Sequence, residues 1–372
     1  MKFNCNTKEL SDACNNVMKA VSTKGTIPAI EGILIKTDEN CIHLTGYDFE
    51  FGINTIIPAK IEEHGSIILT AKILCDIIRR LSDDRVEILV TERFNTTIIS
   101  GEAKYSIMGI DPDEYPELPS VSGGIPIILE QDLLQNMVSQ TLFAVSDNSD
   151  SKPIYTGLRF EVTHNQLKLI GIDGFRLAIR TEKINYDGEY ATFVVPKKTI
   201  KELVKIFNDE NKEVSINVGK RHIVFEICGY NIISRLLDGE CINYNGIIPK
   251  ICNTEVLINT RIAINSIEKT LPVIDDGNKT PIRCIFDQDM MRVSSVSTLG
   301  RVIDSCHANI SGERVEIGFN SRYILDALRA SDVDEIKINF KDALTPIILL
   351  PLQGDSFLFL ISPVRLKKNE NN

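Results

Sequence analysis

The sequence predicts an α+β protein built from repeats, in which short helices alternate with antiparallel strands. Three observations predict it. Six segments carry helical periodicity, and their starts fall 60 to 66 residues apart. Between them lie alternating runs rich in Ile, Val, Thr and Phe. One strand-turn-strand phrase is written twice, LTGYDFEFGINT at 44–55 and LIGIDGFRLAIR at 169–180, with Gly46 and Gly171 125 residues apart. Near-constant spacing of that size signals a repeated supersecondary unit.

The helical segments are 8–20, 70–81, 130–145, 196–207, 259–271 and 320–330. Apolar residues recur at i, i+3, i+4 and i+7, most clearly Ile73, Leu74, Ile77, Ile78 and Leu81. Thr70 and Asn320 suit N-caps, and Pro196 suits a first helical position. The runs 41–59, 85–110, 212–237 and 333–352 read as antiparallel strands joined by hairpins. One helix plus three or four strands makes a unit, and six units pair into three domains. The stretch 111–126 is dense in Pro, Gly and Ser and reads as a linker; 238–253 occupies the matching place. The expected domains are therefore 1–122, 123–250 and 251–372. In that frame 293–304, VSSVSTLGRVID, is an eroded third copy of the repeated turn. Asp48 and Asp173 follow Gly in the turn and are expected to cap backbone groups in each copy.

Composition narrows the function classes. Hydrophobic residues at 43% and charged residues at 25% of a 372-residue chain are globular values. No apolar run approaches the about 18 residues of a membrane helix, and MKFNCNTKELSD lacks the apolar core of a signal peptide. Nine cysteines, an odd number without a CxxC pair, are expected to be free and mostly buried in a reducing cytosol. The five histidines offer no metal-ligand spacing, so neither metal nor cofactor is expected. No nucleophile elbow, P-loop, dinucleotide fingerprint or zinc motif is present, and a catalytic role is not expected.

The net charge of −10 argues against gripping nucleic acid by bulk electrostatics. Yet the six helical segments together carry +5. On 196–207, Lys198, Lys201 and Lys205 share one face, with Ile200, Leu203, Val204 and Phe207 on the other. On 70–81, Lys72, Arg79 and Arg80 lie off the apolar stripe. The segment 130–145 departs from this pattern and offers only Glu130 and Asp132. Alone, such faces read as solvated helix surface.

The segments GIDGFRLAI, VVPKKTIKELVKIF, SRLLDGECINYNGIIP, IGFNSRYILDAL and SPVRL occur in an order and spacing that resembles the bacterial DNA polymerase III beta subunits, the sliding clamps. The resemblance runs from the opening MKF to Leu366, and KKNENN extends past the usual family ending. It implies three tandem DNA-clamp domains per chain, each chain forming half of a closed ring. Two copies would join head to tail around duplex DNA. Twelve helices, each about 10 Å wide, span a circumference of roughly 120 Å and leave room for a duplex, whereas six would not. The resemblance further implies a cytoplasmic, non-catalytic processivity factor. Its expected partners are duplex DNA without sequence preference, a second copy of itself, a replicative polymerase, a clamp loader and other proteins carrying a clamp-binding motif, with no membrane. A repeat-built scaffold that does not encircle DNA, and a hydrolase using Asp48 and Asp173, are the competing readings.

Three residue sets follow from the resemblance. Lys24, Lys72, Arg79, Arg80, Lys197, Lys198, Lys201 and Lys205 would meet phosphates; few such contacts make binding weak and salt-sensitive, which suits sliding. A partner-peptide pocket would use Tyr155, Ile172, Gly174, Phe175, Arg176, Leu177, Ile242, Ile247, Asn320, Tyr323, Leu360, Ser362, Pro363, Val364, Arg365 and Leu366, with Arg176 and Arg365 at the rim. Ile172, Phe175, Ile242 and Ser362 depart from the commoner Thr, His, Pro and Met. The contact between chains would join Lys104, Ile107 and Met108 of the first domain to Leu271, Pro272, Val273 and the run 298–304 of the third. Family members often bring acidic residues to that run. Here it holds Arg301 and only Asp304, so apolar burial is expected to dominate.

Overall fold

The computed structural model describes residues 1–22, 27–121, 123–148, 151–208, 213–274 and 281–366. All six expected helices form: α1 (Thr7–Val17), α2 (Ala71–Ile78), α3 (Gln131–Ser139), α4 (Lys197–Leu203), α5 (Thr260–Glu268) and α6 (Ser321–Ser331). Asparagine starts three of them. The Asn6 side-chain oxygen accepts from the Lys8 and Glu9 amides, Asn259 from Ile262, and Asn320 from Arg322. Two start signals are corrected. Thr70 makes no side-chain cap bond, and Pro196 closes the strand Ala191–Pro196 instead of opening α4.

The periodic segments that hold α1, α3 and α5 finish in 3₁₀ turns, Met18–Ala20, Leu142–Ala144 and Leu271–Val273. In two of them a threonine hydroxyl bonds back to a helix carbonyl, Thr141 to Met137 at 2.7 Å and Thr270 to Ile267 at 2.6 Å. Such bonds compete with the helical ladder. The buried faces of α1 and α6 keep the expected spacing, whereas on α2 Ile73, expected on the apolar stripe, is 47% exposed. α1 inserts Leu10, Ala13, Cys14 and Val17, and α6 inserts Ile324, Leu325 and Leu328. Burying one such Leu or Ile contributes about 1.5–3 kcal/mol.

The strands form sheets of twelve, nine and four members among the described residues. The chain packs as two compact units, one of Met1–Asp132 with Lys198–Leu236, the other of Leu133–Lys197 with the chain from Leu237 on. The middle third of the sequence is thus shared. Its strand Tyr230–Arg235 pairs with Phe51–Glu63 (Tyr230 opposite Thr55), and its strand Arg176–Lys183 pairs with Phe357–Ile361 (Leu177 opposite Leu360). Sheet edges from different repeats satisfy one another's backbone groups, so the sheets outgrow the repeats.

The repeated glycines have a steric cause. A Cβ at Gly46 would sit 2.5 Å from the Val17 carbonyl oxygen, and one at Gly171 would sit 2.2 Å from that of Thr141. Each strand passes directly beneath a helix end.

The two linkers are packed, not slack. Tyr115 is buried and its hydroxyl donates to the Thr45 carbonyl at 3.1 Å; Tyr244 is buried and donates to Glu161 at 2.8 Å. None of the nine cysteines forms a disulfide, but only Cys5, Cys14, Cys75 and Cys284 are buried; Cys41, Cys228, Cys241 and Cys306 are half-buried and Cys252 is exposed. That corrects the expectation of mostly buried thiols, since Cys228, Cys241 and Cys252 lie in turns and loops and Cys41 and Cys306 sit on the outward faces of strands. Among the described residues no helix is long and apolar enough to cross a membrane.

Candidate functional site

The repeated turn builds one wall of the site. Asp173 Oδ1 accepts from the Phe175 and Arg176 amides, both at 2.9 Å, which holds Gly174 at φ +92°. In the first copy Asp48 Oδ1 accepts from the Glu50 and Phe51 amides at 3.1 and 2.7 Å. The aspartates therefore cap backbone, as expected. Their second oxygens differ in partner: Asp173 Oδ2 holds Arg176 Nε at 2.8 Å, and Asp48 Oδ2 holds Lys198 Nζ at 2.7 Å.

Arg176 is a largely buried strut and not a rim residue, which corrects the expectation. Its side chain is 11% exposed and is gripped by Asp173 and by Asp326 Oδ2 at 2.6 Å. It lies 4.5 Å over the Tyr323 ring and 5.6 Å over Phe143. Burial opposes its charge, but the Asp326 and Asp173 carboxylates outweigh burial and raise its pKa above the ordinary value. The two carboxylates thus draw the guanidinium beneath the surface and fix the aromatic rings above it.

Tyr323, stacked on this strut, also lines a cleft of about 590 Å³ together with Phe175, Ile274, Asn320, Ser321, Arg322 and the segment Ser362, Pro363, Val364 and Arg365. The carboxy-terminal segment is pinned by two backbone bonds, Ser362 N to Phe175 O and Val364 N to Gly318 O, both 2.8 Å. Leu366 covers Gly318, where a Cβ would come within 2.8 Å of the leucine side chain. Phe175 is 60% exposed and its ring lies 6.2 Å from that of Tyr323, presenting apolar surface at the mouth. Arg365 is exposed and lines the cleft.

The expected pocket residues divide. Tyr155, Ile172 and Ile242 line a separate narrow apolar hollow with Ile154, Ile170, Val194 and Tyr244. Leu177 and Leu360 are buried in the core beside Ile170 and Tyr244, beneath that hollow and outside it. Ile247 is 39% exposed and lines neither cavity. The hollow also rests on groups the sequence did not mark. Arg159 pairs with Glu161 at 2.6 Å, lies 5.6 Å over the Tyr244 ring and donates to the Ile242 carbonyl at 3.3 Å. Alternation along one strand places Arg159 and Glu161 on the same face, but the approach of Tyr244 from 83 residues away had no local signal.

The basic residues are dispersed and largely paired. Lys198 pairs with Asp48, Lys205 with Glu202 at 2.8 Å, and Arg79 and Arg80 with Asp76 at 4.0 and 3.8 Å. Lys72 is exposed on α2 and Lys201 is exposed on α4. Lys197 turns inward: its ammonium donates to the Val145 carbonyl at 2.7 Å and pairs with Asp147 at 2.9 Å. Lys24 lies outside the described residues.

Two of the sheet edges carry the residues expected at the contact between chains. Ala103–Met108 ends the twelve-stranded sheet, with Lys104 and Met108 exposed and Ile107 half-buried. Gly300–His307 ends the four-stranded sheet, flanked by exposed Val296, Leu299, Ile303, Leu271 and Pro272, with Val273 half-buried. Asp304 on that edge is committed within its own unit to Lys269 at 2.9 Å and Ser266 at 2.8 Å, which lower its pKa.

Family models cover nearly the whole chain. The N-terminal domain of the DNA polymerase III beta subunit matches 1–119, its central domain 128–242 and its C-terminal domain 245–365. The beta sliding clamps of Staphylococcus epidermidis and Staphylococcus aureus are each 32% identical over 98% of this chain and 99% of their own. The crystal structure of the Bacillus subtilis DNA polymerase sliding clamp superposes with a TM-score of 0.96 at 32% identity, over 99% of this chain and 100% of that one. The beta subunit of Streptococcus pyogenes DNA polymerase gives 0.94 at 27% identity, over 98% and 100%.

Proposed function

The chain belongs to the DNA polymerase III beta subunit family, the beta sliding clamps, and we propose that two copies close head to tail into a ring that carries partner proteins along duplex DNA. It is a non-catalytic processivity factor of DNA replication. Within it, residues 1–122, 123–250 and 251–372 act as three clamp domains. The open edges Ala103–Met108 and Gly300–His307 supply two different surfaces, and a heterologous contact of that kind closes with two copies when the rotation allows.

Duplex DNA meets Lys72, Arg79, Arg80, Lys198, Lys201 and Lys205. Most of these cations already hold a carboxylate, and an exposed pair of that kind is worth only about 0–1 kcal/mol. A phosphate displaces the carboxylate with little net gain. Contacts are therefore weak and indifferent to sequence, and retention falls to the topology of the ring. Lys197 orients α4 through Val145 and Asp147 and makes no phosphate contact of its own.

Polymerase, clamp loader and other motif-bearing proteins insert a short peptide into the cleft that Tyr323 lines, in a cytoplasmic setting. The observation that carries this reading is the cleft itself: apolar walls from Phe175, Tyr323 and Pro363 with Arg365 at the edge. It suits a peptide with a Leu or aromatic anchor and an acidic residue. The expected test is fluorescence anisotropy with such a labelled peptide. Deleting 362–372 removes one wall and abolishes binding while the dimer persists. Deleting 367–372 leaves affinity within about twofold. Intact binding after both deletions would move the peptide site to another face.

A further inference from the structure

The hairpin of strands Gly32–Asp38 and Cys41–Tyr47 carries a group that neither ring closure, DNA nor peptide binding uses. It turns on Glu39 and Asn40 and pairs Asp38 with Cys41 and Lys36 with His43. Cross-strand partners share a face, and so do residues two apart on one strand. Asp38, Cys41 and His43 therefore point the same way, while Thr37, Ile42 and Leu44 point into the core at 8% exposure or less. Asp38 is exposed and Cys41 and His43 are half-buried.

The ligand-type atoms of these three residues all lie within 4.8 Å of one another. His43 Nε2 is 3.9 Å from Cys41 Sγ and 3.4 Å from Asp38 Oδ2. A tetrahedral metal bound at about 2.0–2.3 Å holds its ligands roughly 3.3–3.8 Å apart. The two separations from the imidazole are thus near the spacing of a coordination sphere, and the third lies within 4.8 Å. Asp38 Oδ1 accepts from the Glu39 amide at 2.8 Å, which orients the carboxylate and leaves Oδ2 facing the imidazole. Ile42, wholly buried between the two ligands of its strand, fixes their backbone.

We propose that Asp38, Cys41 and His43 form a binding site for a zinc-class divalent cation, with water in the fourth position. A thiolate, an imidazole and a carboxylate together select zinc, cobalt or nickel over magnesium or calcium, which prefer oxygen donors throughout. The histidine spacing alone excluded a metal. The pattern Asp-x-x-Cys-x-His becomes a ligand set only once the two-residue turn folds Asp38 back over Cys41.

The test uses the full-length, reduced protein. Zinc sulfate is titrated in competition with a chromophoric chelator, and cobalt(II) chloride reports thiolate ligation by its charge-transfer absorption. One zinc per chain is expected. Cys41→Ser and His43→Ala each weaken binding by at least about tenfold, and Cys41→Ser removes the cobalt–thiolate band. Cys252→Ser, which removes the exposed thiol, leaves both unchanged. All three changes are at solvent-facing positions, and an unchanged circular dichroism spectrum verifies the fold. Absence of stoichiometric zinc binding overturns the proposal. So does parental affinity in Cys41→Ser, or loss of the band in Cys252→Ser instead.

Discussion

Gly174 and Phe49 occupy the same position of one turn, at φ +92° and +72°. A side chain is therefore sterically admissible there, and a Cβ on Gly174 would meet nothing within 4 Å. The cost of Gly174→Ala is the left-handed backbone alone, about 1–2 kcal/mol by urea denaturation. Arg176 is more demanding. Removing it leaves Asp173, 9% exposed, without its counter-charge. Arg176→Ala should cost about 3 kcal/mol, more than Asp326→Asn, whose carboxylate is 38% exposed and relaxes into water. Equal losses in the two variants would remove the strut from the account. The capping role of Asp173 was legible because the turn is written twice. The burial of Arg176 was not, because the carboxylate that draws it inward lies 150 residues away.

The helices were legible as elements because α1 and α6 repeat apolar residues at helical spacing, and Asn320 marked the start of α6. Their ends were not, because Thr141 and Thr270 bond back to carbonyls and convert the last turns. The open strands behave differently. Alternation marks Ala103–Met108 as a strand, but only sheet order shows it to be an edge. On the opposing edge, Asp304 is already spent on Lys269 and Ser266, and the exposed side chains include Val296, Leu299 and Ile303. The dimer contact should accordingly resist salt. Sedimentation at micromolar protein should find dimers at both low and moderate ionic strength, and Ile303→Asp should yield monomers. Dissociation of the parent by moderate salt would assign the contact to ion pairs instead.

Across the molecule, the −10 total conceals cations on and just after α2 and α4, of which Arg79, Arg80, Lys198 and Lys205 are held by neighbouring carboxylates. Changing Lys198, Lys201 and Lys205 together to Ala should weaken DNA binding and flatten its salt dependence, by about 0.9 in log–log slope for each phosphate that no longer meets a cation. An unchanged slope would place the duplex elsewhere. The six-fold repeat announced how many helices to expect, yet not that strands of the middle third join both large sheets, since pairing such as Tyr230 with Thr55 leaves no local trace. A closed ring of two chains has a distinct scattering signature, which small-angle X-ray scattering reads in solution. Twice the chain mass is expected, with the pair-distance distribution of a flat annulus whose central hole is wide enough for duplex DNA. A single-chain mass at micromolar concentration, or a two-chain particle without the hole, would contradict it.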